Sequence, residues 1–293
     1  MSRCKKLIQF YLTNFCNSHC NTCSIWKDRE IKEISLHDVL KVITEFPDAD
    51  YVFGGGEFTL YSFRHSLIDF CDRNNISYTV LSNAVSLKRL EELICLHNIK
   101  NLTMSCDGAE HDVIRGVNGN LKNIEYIVSK YKDKIENIKL SYTLSKLNEN
   151  NIDKDMAYFR SIGFNKIYFC IAQNMDLLKA EGSIVPSIDS LIYFYNNYSN
   201  MLYDKDKKLL KDFIAGIHKK CDSIKDVHTI YTNGDVVRCQ SFLSNVVIGN
   251  IYENSFREIL RRDLKIIGDD YFCPYNDKCE LVCQRRYDYA DDE

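Results

Sequence analysis

The residues with the clearest chemical potential are three cysteines within eight positions, Cys16, Cys20 and Cys23, in the order Cys-Asn-Ser-His-Cys-Asn-Thr-Cys. Thiolates bind zinc and iron–sulfur clusters, and a short loop allows three of them to face one centre. The spacing alone leaves three kinds of site open. These are a zinc ion with His19 or a distant fourth ligand, a structural [4Fe–4S] cluster with a fourth cysteine, and a [4Fe–4S] cluster with one open iron.

A second group of cysteines lies towards the C-terminus. Cys221 and Cys239 stand on either side of Asn233-Gly234, a strong hairpin-turn signal, so they can face each other across a β-hairpin. Three more follow within eleven residues: Cys273, Cys279 and Cys283. A single zinc site is the alternative to a cluster in this region.

The remaining cysteines call for a different interpretation. The chain has thirteen cysteines, an odd number that argues against a disulfide framework. The scattered ones lie in apolar or helical surroundings, where cysteine usually acts as a small buried hydrophobic residue. We predict this for Cys4, Cys71, Cys95, Cys106 and Cys170.

Short apolar runs alternate with helical patterns over the first 171 residues. The predicted strands are Leu7–Thr13 and residues 51–53, 76–81, 102–106, 138–144 and 166–171. The predicted helices are residues 35–46, with Ser35 as N-cap, and residues 61–73, 87–96, 121–131 and 153–162. This alternation is typical of a parallel sheet covered by helices, and right-handed crossovers would curve it into a partial (β/α)6 barrel.

The sequence divides into three predicted regions. Residues 1–172 form the α/β barrel, residues 173–220 a helical connector, and residues 221–293 a small C-terminal domain that begins with the hairpin. Ligands of parallel α/β sheets bind at the carboxyl ends of the strands. The first cysteine group follows the first predicted strand, so we expect the functional site at this edge.

The C-x3-C-x2-C spacing after the first strand of a βα barrel resembles the radical S-adenosylmethionine (radical SAM) superfamily. The resemblance covers most of residues 7–171. It implies that Cys16, Cys20 and Cys23 hold a [4Fe–4S] cluster whose open iron binds the amino and carboxylate groups of S-adenosylmethionine. The sequence departs from the family pattern at Thr22, where an aromatic residue is usual.

Gly54-Gly55-Gly56-Glu57 follows the second predicted strand, where the superfamily carries a Gly-Gly-Glu motif. The resemblance implies that the backbone of Gly55 and Gly56 and the carboxylate of Glu57 hold the amino group of the cofactor. Glycine allows a close approach of backbone to ligand, and an ammonium group favours a nearby carboxylate. A plain glycine turn is the alternative, and Phe58 stands where the family usually has proline.

Polar residues follow the third and fourth predicted strands. Ser82 and Asn83 resemble a Thr-Asn-Gly-like segment of the family. The stretch from Ser105-Cys106-Asp107-Gly108 to His111-Asp112-Val113-Ile114-Arg115-Gly116 resembles a segment common in the SPASM/twitch branch. Ser105, Asp107 and Arg115 are therefore candidates for contacts with cofactor or substrate, with a surface salt bridge or a helix cap as the alternative.

The C-terminal cysteines resemble a SPASM/twitch extension, which houses auxiliary [4Fe–4S] clusters. A full SPASM domain has seven cysteines for two clusters, whereas here Asp270 replaces one and none follows Cys283. The resemblance therefore implies a twitch-like domain with one auxiliary cluster, held by Cys221, Cys239 and two of Cys273, Cys279 and Cys283. A degenerate second cluster that uses Asp270 is the alternative.

The resemblance also implies an activity. Reductive cleavage of S-adenosylmethionine gives a 5′-deoxyadenosyl radical, which abstracts a hydrogen atom from a substrate C–H bond. An auxiliary cluster that accepts a second electron would make the net reaction a two-electron oxidation, with Asp107 as candidate base. The cofactor carries the difficult chemistry, and the protein supplies position and excludes water.

The substrate class is open between two kinds of relative. A small molecule, oxidised as in sugar or cyclitol dehydrogenation, is favoured by the single auxiliary cluster and by a chain that starts at its first barrel strand, without a leader-peptide-binding segment. Modification of a peptide or protein side chain by a maturase is the alternative, and a non-catalytic iron–sulfur or zinc scaffold is the second.

Net charge and hydropathy limit the classes of partner that the sequence predicts. The net charge is −3, and no segment has the roughly 20 apolar residues of a membrane span, so neither nucleic acid nor a membrane is expected as partner. We expect a cytoplasmic oxidoreductase or maturase that takes electrons from a donor such as flavodoxin or ferredoxin.

Overall fold

The computed structural model describes residues 5–173, 184–217, 226–238 and 246–267. Within these residues the strands are β1 (Leu7–Thr13), β2 (Asp50–Gly55), β3 (Ser77–Ser82), β4 (Asn101–Ser105), β5 (Asn137–Leu144), β6 (Tyr168–Ile171), β7 (Val227–Ile230), β8 (Asp235–Val237) and β9 (Val247–Asn250). All six barrel strands were predicted from the sequence, and their bounds differ by at most three residues.

The helices are α1 (Leu36–Glu45), α2 (Arg64–Arg73), α3 (Leu87–Leu96), α4 (His111–Arg115), α5 (Asn120–Tyr131), α6 (Ile152–Ser161), α7 (Ile188–Tyr198), α8 (Asp204–Ile214) and α9 (Phe256–Ile267). Short 3₁₀ helices span Ile25–Lys27, Phe58–Leu60 and Ser199–Met201. Ser35 accepts a hydrogen bond from the N–H of Asp38 (3.2 Å) and is the predicted N-cap of α1. Among the described residues no helix is long and apolar enough to cross a membrane.

The described strands form one sheet in the order β6-β5-β4-β3-β2-β1-β7-β8-β9. Strands β1 to β6 pair in parallel with their sequence neighbours. Helices connect these strands, as parallel pairing requires. The carboxyl ends of β1 to β6 therefore meet at one edge, which confirms the α/β fold of a partial (β/α)6 barrel.

One face of the barrel sheet packs against the helices. Ile8, Phe10 and Leu12 of β1 are fully buried in this core, and Phe53 of β2 stacks on Tyr78 of β3 at 5.7 Å between ring centroids. Fully burying one such side chain contributes ~1.5–3 kcal/mol. The core therefore fixes the strands, and through them the loops that follow their carboxyl ends.

The other face of the sheet carries mostly polar side chains, because successive residues of a strand point to opposite faces. Hydroxyl groups occupy this face in four neighbouring strands. They belong to Thr79 of β3, Thr103 and Ser105 of β4, Ser141 and Thr143 of β5, and Tyr168 of β6, all half-buried. This face is the inner surface of the partial barrel.

The C-terminal hairpin continues the barrel sheet. Strand β7 pairs in parallel with β1, Leu7 opposite Val227, and β8 and β9 then add in antiparallel fashion. Gly234 has φ +83° in the turn predicted from Asn233-Gly234. The predicted C-terminal region thus shares its first strands with the barrel, and α9 packs on α1 through Phe256 and Phe46, 5.4 Å apart.

The scattered cysteines follow the prediction only in part. Cys71 and Cys106 are fully buried, as expected, and Cys170 is half-buried. The prediction was wrong for Cys95, which is exposed on α3 because it lies on the helix face away from Leu93 and Ile94. Cys4 lies outside the described residues.

Candidate functional site

The loop after β1 carries Cys16, Cys20 and Cys23, and the chain's single tryptophan shapes it. The indole N–H of Trp26 lies 3.2 Å from the carbonyl oxygen of Cys20 and 2.8 Å from that of Cys23. The N–H of Cys23 donates to the carbonyl of Cys20 at 3.2 Å. Trp26 therefore closes the turn that brings the second and third cysteines together.

Helix α4 fastens the same loop from the other side. The N–H groups of His19 and Asn21 donate to the carbonyl oxygens of Arg115 (2.9 Å) and Ile114 (3.0 Å). Gly116 ends α4 at φ +64°, and a Cβ there would lie 2.8 Å from the carbonyl oxygen of His19. Only glycine permits this approach without a shift of the backbone, so the end of α4 positions the cysteine loop.

The three thiols lie near one another without forming a single-ion site. Burial raises the pKa of Cys16 to about 12, and the charges of Glu57, Cys20 and Cys23 add to the rise. Burial likewise raises the pKa of Cys23, with Cys20 adding to it. Metal binding would therefore have to displace thiol protons.

The arrangement of these donors is compatible with a cluster. Within the described part of the chain, no three His, Cys, Asp or Glu side chains gather closely enough to hold one metal ion. A zinc ion needs donors about 2.0–2.3 Å from one point, whereas a [4Fe–4S] cluster takes its thiolates on separate irons. Three neighbouring cysteines on one loop fit the cluster.

Gly55 and Gly56 are required by the backbone of the cysteine loop. Gly55 has φ +131°, and a Cβ there would meet the carbonyl oxygen of Thr13. A Cβ on Gly56 would lie 2.6 Å from the carbonyl carbon of Phe15 and 2.8 Å from that of Asn14. The sequence interpretation attributed the need for glycine to a ligand, but in the structure the loop after β1 already occupies this space.

Glu57 lies beneath the same loop and is only 2% exposed. Its Oε1 accepts from the hydroxyl groups of Ser82 and Thr59, both 2.8 Å, and from the N–H of Thr59 at 3.1 Å. Its Oε2 accepts from the N–H of Asn83 at 2.7 Å. Burial raises the pKa of Glu57, although these hydrogen bonds oppose the rise.

Asn83 connects Glu57 with the first cysteine. Its Nδ2 lies 3.8 Å from the sulfur of Cys16 and 2.8 Å from both Asn17 Oδ1 and Ser18 Oγ. Its carbonyl oxygen accepts from Asn120 Nδ2 at 2.9 Å. The end of β3 is therefore joined to the loop after β1, as the order of the parallel strand ends predicts.

Asp107 and Arg115 form a buried pair beside the second cysteine. Arg115 donates to both carboxylate oxygens of Asp107, through Nε to Oδ2 and through Nη2 to Oδ1 at 3.0 Å. Its Nη1 lies 3.9 Å from the sulfur of Cys20. Burial lowers the pKa of Arg115, but the charges of Asp107 and Cys20 outweigh it and the net shift is upward.

Ser105 is the last residue of β4. It pairs with Ser141 in the β4–β5 register on the polar inner face of the sheet. On the same face, Gln9 of β1 is 6% exposed and its Oε1 has no hydrogen-bond partner among the described residues. A buried amide oxygen without a partner is costly, so this face has capacity for a polar ligand.

Three side chains that hydrogen-bond to the loops of the site were not predicted from the sequence. Trp26 had no motif to mark it, and Asn120 is predictable only once β3 and α5 are in place. Asp155 of α6 is fully buried and accepts from the N–H of Ala109 and the hydroxyl of Tyr142, both 2.8 Å. Burial raises the pKa of Asp155 to about 7, a shift that no sequence pattern shows.

The predicted auxiliary ligands lie outside the described residues. They are Cys221, Cys239, Cys273, Cys279 and Cys283, and Asp270 lies outside as well. The described segment 226–238 ends one residue before Cys239, at Arg238, which forms a buried ion pair with Asp263 of α9.

The fold is shared with solved structures at low sequence identity. SuiB of Streptococcus suis bound to precursor peptide SuiA has 15% identity and a TM-score of 0.64 over 87% of this chain, which spans only 64% of SuiB. The anSMEcpe structure with bound AdoMet has 15% identity and a TM-score of 0.68, covering 95% of this chain and 85% of that one. BtrN in complex with AdoMet and 2-DOIA has 15% identity and a TM-score of 0.50, with 99% of both chains covered. No curated protein sequence matches the chain.

Two family models match the sequence. An iron–sulfur cluster-binding domain, SPASM, matches residues 221–284, the region of the second cysteine group. The two domains together imply a [4Fe–4S] cluster, S-adenosylmethionine and an auxiliary iron–sulfur cluster. The model of the Radical SAM superfamily, a superfamily of enzymes, matches residues 10–159, more than half of the 293 residues. The chain that carries Cys16, Cys20 and Cys23 on the loop after β1 therefore belongs to the radical SAM superfamily.

Proposed function

We propose that this protein is a radical SAM oxidoreductase that abstracts a hydrogen atom from a C–H bond of a small polyhydroxylated molecule and oxidises it by two electrons. The observation that carries the enzymatic part is the arrangement of three thiols and a buried carboxylate around one loop. Cys16 and Glu57 are linked through a single residue, Asn83, whose backbone N–H donates to Glu57 and whose side-chain Nδ2 lies 3.8 Å from the Cys16 sulfur. A scaffold without catalysis has no chemical need for that carboxylate.

Each residue of the loop has a proposed task. Cys16, Cys20 and Cys23 hold the cluster, and Glu57, with the backbone of Gly55 and Gly56, receives the amino group of S-adenosylmethionine. Among the described residues Oε2 of Glu57 accepts only from Asn83, so it can take one more donor. When bound, these groups supply a 5′-deoxyadenosyl radical by reductive cleavage of the sulfonium bond.

Three further predicted contacts divide between two tasks. Ser82 and Asn83 orient the carboxylate of Glu57, to which both donate. Ser105 lies on the inner surface of the barrel and is proposed to contact substrate.

A second step, loss of a proton from the substrate radical, needs a base, for which the sequence predicts Asp107. Both of its oxygens accept from Arg115, an arrangement that stabilises the charged carboxylate and favours a positioning role.

The polar inner face of the sheet supports a small polar substrate. Hydroxyl groups from β3 to β6 can exchange hydrogen bonds with hydroxyl groups of a sugar or cyclitol, and so can the amide oxygen of Gln9, which has no partner in the described part of the chain. BtrN, whose complex contains 2-DOIA, has 15% identity with this chain, so its likeness supports the fold alone. One auxiliary [4Fe–4S] cluster, held by Cys221, Cys239 and two of the three later cysteines, is proposed to accept the second electron.

Modification of a peptide is the second candidate. SuiB was solved with a precursor peptide, and anSMEcpe with the Cp18Cys peptide at a TM-score of 0.66. These scores exceed that of BtrN, but at 14–16% identity they support the fold alone. The two substrate classes therefore have to be separated by experiment.

The test uses anaerobically reconstituted, dithionite-reduced protein and S-adenosylmethionine. Iron and sulfide content and an EPR signal that shifts on adding S-adenosylmethionine establish the cluster with an open iron. Perdeuterated cyclitols or sugars are then compared with perdeuterated peptides. Deuterium that enters 5′-deoxyadenosine, measured by mass spectrometry, identifies the class that donates the hydrogen atom.

The possible outcomes separate the hypotheses. Deuterium transfer from polyols supports the proposal, and transfer from peptides only would replace it with the maturase. Loaded protein that never forms 5′-deoxyadenosine would leave a non-catalytic iron–sulfur scaffold. Zinc in place of iron would remove the radical mechanism altogether.

A further inference from the structure

Arg115 is the one charged side chain in hydrogen-bond contact with a cysteine sulfur of the loop, among the residues that the structure describes. Its Nη1 lies 3.9 Å from the sulfur of Cys20, and 95 positions separate the two residues in sequence. The positive charge of Arg115 also faces Cys23, whose thiol pKa it lowers against the larger effect of burial. The sulfur of Cys16 faces the neutral amide of Asn83 instead.

Asp107 fixes the direction of the guanidinium. It engages Nε and Nη2 of Arg115, which leaves Nη1 as the nitrogen that points at Cys20. A bidentate pair of this kind holds arginine in one orientation, because the fork geometry of the two groups matches.

Asp107 is itself held through its own backbone, by the side chains of His111 and Asn148. Its N–H donates to His111 Nδ1 at 3.1 Å, and its carbonyl oxygen accepts from Asn148 Nδ2 at 3.4 Å. Burial lowers the pKa of His111 to about 4, so the imidazole is neutral at pH 7 and adds no charge to the pair. These hydrogen bonds fix the position of Asp107, and through Asp107 they fix the hydrogen bond from Arg115 to the Cys20 sulfur.

We propose that Arg115 is a positioning residue that raises the reduction potential of the radical SAM cluster by donating a hydrogen bond to the Cys20 sulfur, with Asp107 as its anchor. Reduction adds one negative charge, which spreads over the cysteine sulfurs. A hydrogen bond to such a sulfur stabilises the reduced form more than the oxidised form. The inference rests on the proposed function in one respect, namely that Cys20 is a cluster ligand.

The test is an EPR-monitored redox titration of full-length wild type, Arg115→Gln and Arg115→Lys. The signal that shifts on adding S-adenosylmethionine identifies the radical SAM cluster. At a fixed potential we expect the ratio of reduced to oxidised cluster to fall about tenfold in Arg115→Gln, which is ~59 mV for one electron. Arg115→Lys keeps the positive charge but loses the paired N–H donors of the guanidinium. Its midpoint potential should therefore lie between those of the wild type and Arg115→Gln.

Arg73→Gln is the matched control. Arg73 also pairs with an aspartate, Asp69, but it lies on the exposed surface of α2 with its side chain 79% exposed. Its titration should superimpose on that of the wild type. Equal midpoints in wild type, Arg115→Gln and Arg73→Gln, at equal iron content, would overturn the proposal.

A second measurement covers the case in which Arg115→Gln fails to hold iron. Wild type and Arg115→Lys are labelled with guanidino-¹⁵N arginine, and the reduced cluster is measured by pulsed ENDOR. A ¹⁵N coupling present in the wild type and lost in Arg115→Lys supports the hydrogen bond, and its absence from the wild type contradicts it. Wild-type protein without any S-adenosylmethionine-sensitive cluster would instead refute the proposed function.

Discussion

At the scale of single residues, the Gly-Gly-Glu segment has two different tasks. Its glycines leave room for the backbone of the cysteine loop. Its glutamate accepts hydrogen bonds from Thr59, which follows β2, and from Ser82 and Asn83 at the end of β3. Gly56 leaves the least room for a side chain, because a Cβ there would overlap backbone atoms of Phe15 and Asn14. The N–H of Gly56 also donates to the carbonyl of Thr13 at 2.6 Å, which holds the two backbones together. The motif therefore acts on the cluster loop before it acts on any ligand.

Gly56→Ala tests this directly. The added Cβ collides with backbone atoms of Asn14 and Phe15, which cannot move without displacing the loop. We expect a loss of at least ~2 kcal/mol in the free energy of unfolding, measured with urea, together with reduced iron content.

Gly54→Ala is the control for this substitution. Its Cβ would approach the flexible side chain of Leu81 at 3.2 Å, so we expect a change below ~1 kcal/mol and normal iron content. Equal effects of the two substitutions would show that the close approach at Gly56 is not what requires glycine.

At the scale of elements, the sequence predicted the strands and helices whose apolar residues recur with a regular period, and it missed elements too short to show one. The barrel strands and the longer helices have periodic apolar faces, so their positions were found. Helix α4 was missed because five residues are too few for a helical period to show. The contact of Arg115 with Cys20 depends on α4, and no local pattern predicts a contact between residues so far apart in the chain.

Helix α6 is joined to the site through one buried carboxyl group, that of Asp155. Asp155 receives hydrogen bonds from the loop after β4 and from Tyr142 of β5, and it packs under Gly108. Because burial raises the pKa of Asp155 to about 7, the folded protein keeps this proton over a pH range in which the unfolded chain releases it.

Asp155→Asn therefore has a defined pH signature. Between about pH 4 and about pH 7 the unfolded state binds fewer protons than the folded state, so stability falls as pH rises. Relative to Asp155→Asn, the wild-type free energy of unfolding should drop by up to ~4 kcal/mol over this range. Urea unfolding followed by circular dichroism at several pH values measures it.

Asp153→Asn is a control on the same helix, for which the pH dependence of stability should have the opposite sign. Hydrogen bonds from Tyr198 and Tyr193 lower the pKa of Asp153, so its contribution is present at neutral pH and lost in acid. The Asp155 interpretation fails if wild type and Asp155→Asn show parallel pH profiles.

At the scale of the whole molecule, β1 is shared by two parts of the protein. It carries the cysteine loop at its carboxyl end, and β7 of the C-terminal hairpin pairs along its side. Strand β8 runs back from the turn, so Arg238 lies near the amino-terminal end of β1, and Cys239 is the next residue in the chain. Within the described residues, the loop of Cys16, Cys20 and Cys23 therefore lies at the carboxyl end of β1, and Arg238 lies near its amino-terminal end.

Separate sites predict separate losses of iron. With two [4Fe–4S] clusters the reconstituted wild type should contain ~8 irons per chain, and Cys221→Ala with Cys239→Ala should retain ~4. The remaining EPR signal should still shift on adding S-adenosylmethionine, because the barrel edge that holds Cys16, Cys20 and Cys23 is unchanged. Cys95→Ala, which removes an exposed cysteine outside both groups, should keep ~8. Loss of the S-adenosylmethionine-sensitive signal in the double variant would mean that the two sites depend on each other across β1.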